Sequence, residues 1–329
     1  MLTSDNISTI LSKSSDVPSI IVALESCFRK KRIMNDFLKI AKKISTNRGR
    51  PLYVIKLDEI KEEHSIQCQE HFKGKSFSEL DVLLHSPGGD IETAFRIAKI
   101  IRKHCQKANG IIPIWAKSAT TLISLAMDQL ILGEIGELGP LDALIRESGE
   151  GEGPRYKSAL NRFKALDQLQ QYALETLDVA VKLVVERSGL KMSEAIEMAI
   201  KFTATIASPL FSQVDPGKLG ENARSLDLGK EYGLRILHRY MGCDKEKAKE
   251  LLTKLVKGYP SHSFIIDVEE SKELGLNASY ADGEFAEQIE DIRLELIKCP
   301  EDYLGFVGAS PARASRKAKQ GKKTVANLS

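Results

Sequence analysis

Two short segments carry the residue types that acyl transfer needs. Ser86-Pro87-Gly88-Gly89 follows a β-prone run and precedes a helix of apolar periodicity. It therefore sets backbone N–H groups unhindered by side chains at the start of a helix, where negative charge is favoured. Further along, Ser118 stands in a second strand-to-helix turn, with Ala116 and Ala119 leaving room for a ligand. If neighbouring strands bring the two turns together, the Gly89 and Ala119 N–H groups converge near the Ser118 hydroxyl. That is a nucleophile with two donors aimed at a developing oxyanion. Taken singly, each segment also reads as a tight turn.

The elements that must hold these turns follow from hydrophobic spacing. Asp81 to His85 is a short strand, and Ile91 to Ile101 is a helix through Ala94, Ile97, Ala98 and Ile101. The unit recurs as a strand from Ile111 to Ala116, a helix from Ala119 to Met127 and a strand from Gln129 to Leu132. Successive strand, turn and helix units imply a parallel sheet with right-handed crossovers. Ahead of them lie a helix from Ile33 to Ile44 and a strand from Leu52 to Leu57. Behind them, residues 145–157 read as a polar, glycine-containing mobile loop, and a long helix runs from Leu160 to a stop at Ser188-Gly189. Further helices are expected over Ser193 to Phe202, Leu219 to Tyr240 and Asp244 to Val256, broken at Pro209 and at Asp215-Pro216-Gly217. Ile265-Ile266 gives a short strand, and Asp267 and Glu270 have capping-box spacing for a helix ending at Gly275.

Composition narrows the class without naming an activity. The chain has 329 residues, 42% hydrophobic and 28% charged, as in a globular protein with ample core. No apolar run approaches the roughly 20 residues that span a bilayer, and no secretory signal is read at the front, so a cytoplasmic location is expected. Five scattered cysteines without a CxxC pair argue against a disulfide framework and a zinc ribbon. His64, Cys68 and His71 share a helical spacing, yet too few ligands accompany them for zinc, and a solvated helix or loop is the better reading. Lys and Arg exceed Asp and Glu by six in residues 1–50 and again by six in 313–329. The body between is mildly acidic, so charge gives no nucleic-acid-binding fold; the basic tail after Val307 is expected to be disordered. His85 reads as a strand residue and Trp115 as core.

Three ordered motifs carry a resemblance: His85-Ser86-Pro87-Gly88-Gly89-Asp90, then Trp115-Ala116-Lys117-Ser118-Ala119, then Glu137-Leu138-Gly139-Pro140-Leu141-Asp142. With Ser208 to Pro216 and Tyr259-Pro260-Ser261-His262, the sequence resembles the serine dehydrogenase proteinase family of the Clp protease and crotonase fold, related to signal peptide peptidase A. The resemblance covers about residues 50 to 285. It implies an α/β fold, a Clp/crotonase-like repeated ββα superhelix with a helical insertion at about 155–255. A basic helical segment (1–50) would precede the domain (51–307) and the tail (308–329) would follow it. It also implies a serine peptidase acting on peptide or protein, with Ser118 as nucleophile and Gly88, Gly89 and Ala119 as oxyanion hole. No metal or organic cofactor is implied, and a homo-oligomer is expected with the long helical face as candidate interface. Pyridoxal phosphate chemistry is disfavoured, since neither a Schiff-base lysine nor a phosphate loop stands out.

The general base departs from the family pattern, because the histidine that Clp proteases place in the stretch matching Glu137 to Pro140 is absent. Lys117 is an alternative base, but as a sequence neighbour its side chain would point away from that of Ser118. His262 precedes the strand and helix that in Clp proteases carry the triad's acid close by; a histidine there would approach Ser118 from the acid's side, with Asp142 orienting it. Asp142 reads equally as a structural hydrogen-bonding group. Thr120 stands where relatives place glycine, and its branched side chain could crowd the acyl pocket. Two other readings stay open: a crotonase-like acyl-CoA enzyme, which would use the paired amides without Ser118, and an inactive scaffold of the same fold.

Overall fold

The structure is a computed structural model that describes residues 17–142, 144–147 and 155–308. The expected disordered tail and the middle of the expected 145–157 loop lie outside the described residues. In chain order, the first half comprises helix α1 (Val17–Arg48), β1 (Leu52–Lys56), α2 (Glu62–Phe72), β2 (Phe77–His85), α3 (Ile91–His104), β3 (Cys105–Ile112) and β4 (Trp115–Ala116). There follow α4 (Ala119–Ser124), β5 (Gln129–Leu132), β6 (Glu137–Leu138), β7 (Leu144–Glu147) and β8 (Arg155–Ser158). The second half comprises α5 (Leu160–Ser188), α6 (Met192–Phe211), α7 (Pro216–Leu234), a π-helical turn (Arg235–Tyr240) and α8 (Lys245–Lys257). The chain closes with α9 (Val268–Glu273), β9 (Ala278–Tyr280), α10 (Gly283–Lys298) and β10 (Tyr303–Val307).

Every residue of β1 is buried, as befits a parallel strand covered on both faces. Tyr53 and Ile55 join Phe72, Val82, Leu84, Ile97 and Ile101 on one side of the sheet. Leu52 and Val54 join Phe37, Ile44, Ile289 and Ile292 on the other, beneath α1 and α10. The sheet order is β10-β1-β2-β3-β5-β9, parallel throughout except for β10, which runs antiparallel to β1. This is the α/β sheet of strand–helix repeats that the sequence pattern implies. α3 shows why the repeat folds locally: Asp90 caps it by accepting from Thr93 N–H at 2.7 Å, and Ala94, Ile97, Ala98 and Ile101 form its buried stripe. Each fully buried isoleucine contributes about 1.5–3 kcal/mol.

A second, small sheet grows from the carboxyl ends of the main strands. Ser86 bridges Ala116, β4 pairs with β6 in parallel, and Leu138 bridges Ile266 in antiparallel fashion. Four segments distant in sequence therefore lie side by side.

Several elements differ from the sequence expectation. The strand expected from Ile111 to Ala116 is two strands, because Pro113 has no N–H with which to continue a ladder. α4 stops at Ser124, three residues short of the expected end. α6 runs through Pro209 to Phe211; so close to the helix end, proline forfeits one hydrogen bond and the helix terminates two residues later. The helix expected from Leu219 starts at Pro216, capped by Asp215, which accepts from Gly217 and Lys218 N–H at 2.9 and 3.1 Å. It gives way to π-helical turns at Arg235. Ile265-Ile266 contributes a single bridge rather than a strand, and the flanks of the expected 145–157 loop pair as the β7–β8 hairpin. Among the described residues, no helix is long and apolar enough to cross a membrane.

Candidate active site

The two chain reversals meet. Ser86 N–H donates to Trp115 O at 3.3 Å and Lys117 N–H donates to Ser86 O at 3.1 Å, so the glycine turn and the serine turn lie edge to edge. A Cβ on Gly88 would come within 2.9 Å of Ser118 Cβ and 3.1 Å of Ala119 N. A Cβ on Gly89 would meet the Ile60 backbone at 2.4 Å. With φ of 119° and 139°, both glycines occupy conformations that other residues rarely adopt. Gly88 N–H donates to Ser86 Oγ at 3.2 Å, which ties the turn internally. Among the described residues, the Gly89 and Ala119 N–H groups donate to no acceptor. Gly88 thus contributes space, while Gly89 and Ala119 contribute unused donors.

Ser118 has φ 51° and ψ −120°, and is the non-glycine residue with positive φ among the described residues. Such a conformation costs on the order of 1–3 kcal/mol and is held by the surrounding structure. It resembles the strained strand-to-helix turn that exposes a nucleophile in hydrolases. Ser118 is 7% exposed, and its hydroxyl makes no capping hydrogen bond to α4. It borders a cleft of about 900 Å³ together with Gly88, Gly89, Leu141 and Asp142; Ser225 and Gly229 of α7 line the cleft too.

Asp142 and His262 are hydrogen-bonded through Oδ1 and Nδ1. Leu138 N–H donates to Ile266 O at 2.9 Å and Ile266 N–H returns the bond at 3.1 Å; continuing that antiparallel register sets His262 opposite Asp142. Asp142 is only 2% exposed, and its second oxygen accepts from Ser158 Oγ. Ser158 Oγ in turn accepts from Leu160 N–H at 3.1 Å, so β8 and the start of α5 fix the carboxylate. The turn bearing His262 is held by Lys164, whose ammonium donates to Tyr259 O and Pro260 O at 3.0 and 2.7 Å. Tyr259 stacks on Phe264 and donates to Glu270 Oε1 at 2.6 Å. Burial and that carboxylate push the Tyr259 phenol up, while Lys254 and the phenol hold Glu270 below the usual carboxylate range.

The remaining candidates are placed elsewhere. Lys117 Nζ lies 2.6 Å from Glu137 Oε1 and donates to Ser263 O at 3.3 Å. Its stem runs across Gly139, where a Cβ would come within 3.0 Å of it. The ammonium is therefore committed away from the cleft. Thr120 is fully buried and does not border the cleft, so its methyl crowds nothing there. Trp115, expected in the core, is 37% exposed and packs against His85 with the rings tilted and their centroids 4.8 Å apart. Burial, helped by the Lys56 ammonium, pulls the His85 imidazole down to about 4 and leaves it neutral and weakly basic. Of the sequence-spaced trio on α2, His64 and Cys68 are buried and His71 Nδ1 meets Tyr53 OH at 3.1 Å, so these residues face the core rather than solvent.

With the geometry in place, comparison with known proteins shows what the residues around the site are similar to. Residues 30–185 match the model of the ClpP-like SDH-type serine proteinases. That match holds both turns, Ser118 and Asp142, and ends before His262. The uncharacterized protein MJ0137 of Methanocaldococcus jannaschii is 29% identical over 232 residues, covering 70% of this chain and 63% of that protein. A second uncharacterized protein of the same organism, MJ1495, is 24% identical over 200 residues, covering 61% of this chain and 52% of that one. The chain thus spans less than two thirds of the length of these relatives. Among solved structures, a mutant of the 1510-N membrane-bound stomatin-specific protease aligns at 14% identity and a TM-score of 0.27, covering 45% of this chain and 69% of that one. A mutant of ClpP1 from Listeria monocytogenes aligns at 14% identity and a TM-score of 0.35, covering 72% of this chain and 94% of that one.

Around the site, the structure adds residues that sequence reading missed. Ser158 holds Asp142, and Thr121 Oγ1 lies 2.9 Å from Ala116 O and 2.8 Å from Gly139 O, clasping β4 to β6 beneath Ser118. Ser86 Oγ ties the glycine turn. None sits in a recognisable motif of its own. The hydroxyls of Ser86 and Thr121 fall inside or beside the two motifs, which is the signal that could have found them.

Proposed function

We propose that this chain hydrolyses peptide bonds through Ser118. Its hydroxyl attacks the scissile carbonyl while His262, held through Nδ1 by Asp142, takes the proton at Nε2. The carbonyl oxygen becomes negative between the Gly89 and Ala119 N–H groups, which are preorganised and otherwise unused. His262 then returns the proton to the leaving amine, leaving Ser118 acylated. Water, deprotonated by the same imidazole, attacks the ester and frees the acid and the serine. Lys117 plays no part as base, because it is paired with Glu137.

The observation that supports this reading is the packing of the Ser118 turn against Gly88-Gly89, which sets a serine of positive φ beside the glycine turn on one cleft. A fluorophosphonate probe tests it. Wild type is expected to be labelled at Ser118 and Ser118→Ala to remain unlabelled. An unlabelled wild type, or acyl-CoA turnover that survives Ser118→Ala, would count against it.

The catalytic unit in this proposal is residues 51–307, with the helices between β8 and Ile266 inserted into it, and it works as a homo-oligomer. The α5–α6 hairpin supports the last point. Residues 160–211 hold six basic and six acidic side chains, so two copies do not repel. Leu174, Met198, Ile200 and Phe202 each lie more than half exposed on it. An exposed helix as apolar as α6 is ordinarily covered in an assembly.

A further inference from the structure

The cleft that receives Ser118 is strongly asymmetric in charge, and that asymmetry bears on the substrate, given the hydrolase reading above. One lip consists of the loop leading into α2 and the first turn of α3. It presents Asp58, Glu59, Glu62, Asp90 and Glu92 to the cavity. Two cations accompany them. Lys61 Nζ lies 3.8 Å from Glu59, and a single guanidinium, that of Arg96, is divided between Glu62 at 3.5 Å and Glu92 at 3.9 Å. Asp58 and Asp90 have no cation within ion-pair distance among the described residues. Five carboxylates against two cations leave this lip with a surplus of three negative charges.

The lip is built onto the oxyanion turn. Ile60 N–H donates to Gly88 O at 2.7 Å and Asp90 N–H donates to Ile60 O at 2.8 Å, so the acidic loop is hydrogen-bonded directly to the Gly88-Gly89 turn. Of the opposite wall, Leu141, Ser225, Leu228 and Gly229 are uncharged, and the carboxylate beside them, Asp142, is engaged by His262 and Ser158. Ser118, 93% removed from solvent, lines the space between them, and among the described residues its hydroxyl has no hydrogen-bond partner. A cleft with one charged and one neutral wall focuses field from the charged side and raises the local concentration of the opposite charge.

We infer that the substrates of this site are basic polypeptide segments, carrying lysine or arginine within the few residues that flank the scissile bond. An extended peptide laid along the cleft sets its cationic side chains toward Glu59, Glu62 and Glu92 and its neutral ones toward α7. The lip charges are exposed, so the preference is electrostatic, graded and sensitive to salt.

The test uses the full chain carrying Ser118→Ala and two fluorescent peptides of equal length and apolar content, one with lysines and one with glutamates flanking a central bond. At low ionic strength the lysine peptide is expected to bind about tenfold more tightly. The gap should close in about 0.5 M NaCl, where the screening length falls to a few ångströms. It should also close when Glu59→Lys and Glu92→Lys are added. Equal affinities, or a lysine advantage that survives those two substitutions, would overturn the inference. Fluorophosphonate labelling of the chain with Ser118 intact separates the two readings. Labelling together with equal affinities removes the basic-substrate inference alone, whereas a lysine preference without labelling leaves only a basic-peptide binding cleft and removes the hydrolase reading.

Discussion

Ser118 combines a positive φ, found at no other non-glycine position among the described residues, with a place on the cleft. Its φ of 51° costs little for glycine and on the order of 1–3 kcal/mol for serine. Ser118→Gly is therefore expected to raise the stability of the fold by about 1 kcal/mol in denaturant titration while abolishing fluorophosphonate labelling. A destabilised Ser118→Gly would show that the turn is unstrained. His85 gives a second prediction at this scale. Its imidazole is held down to about 4, so as pH falls the unfolded chain takes up the proton first. The stability tied to its neutral form is fully present above about pH 6.5 and drains away as pH falls toward 4, by about 3 kcal/mol at most. In His85→Leu that part of the acid destabilisation should vanish from urea midpoints measured between pH 7 and 4. An unchanged pH profile would contradict the assignment.

Among the elements, the small sheet of Ser86, β4, β6 and Ile266 does the positioning, and Thr121 is its clasp. Thr121→Val keeps the shape and removes the hydroxyl between Ala116 O and Gly139 O. It is expected to cost about 1–3 kcal/mol and to slow labelling of Ser118 at least severalfold, since both carbonyls flank the serine turn. A stability loss with labelling unchanged would make Thr121 purely structural. The strands β1, β2 and β5 and the stripe of α3 were legible in the sequence because burial imposes a period on residue type, whereas the edge strands β9 and β10 were not expected. The convergence of the two turns was legible as a condition, from glycines and small residues at strand ends. The small sheet was not, because two-residue strands and a single bridge leave no periodic trace. Nor was the clasp of Ser158 on Asp142, which depends on a hairpin whose flanks read as loop. The inward turn of α2 was hidden because polar composition does not reveal that His64 and Cys68 face the sheet.

At the scale of the whole molecule, distant parts of the chain bring Asp142 to His262. Ser118, Asp142 and His262 come from three separate parts of the chain, and the long helical excursion from Leu160 to Lys257 returns only to deliver the last of them. The same excursion exposes the apolar α5–α6 hairpin. Phe202→Asp is accordingly expected to shift the protein to a smaller species in sedimentation, with its far-ultraviolet dichroism unchanged; an unchanged sedimentation coefficient would dismiss that face as the interface. The most direct test of the account is the second-order rate of fluorophosphonate labelling at Ser118, compared among wild type, His262→Ala and Lys117→Ala. With His262 as the base, removing its imidazole should slow labelling by at least about a hundredfold, and removing the Lys117 ammonium should change it less than about threefold. Equal rates for wild type and His262→Ala, or the large loss falling on Lys117→Ala instead, would contradict it.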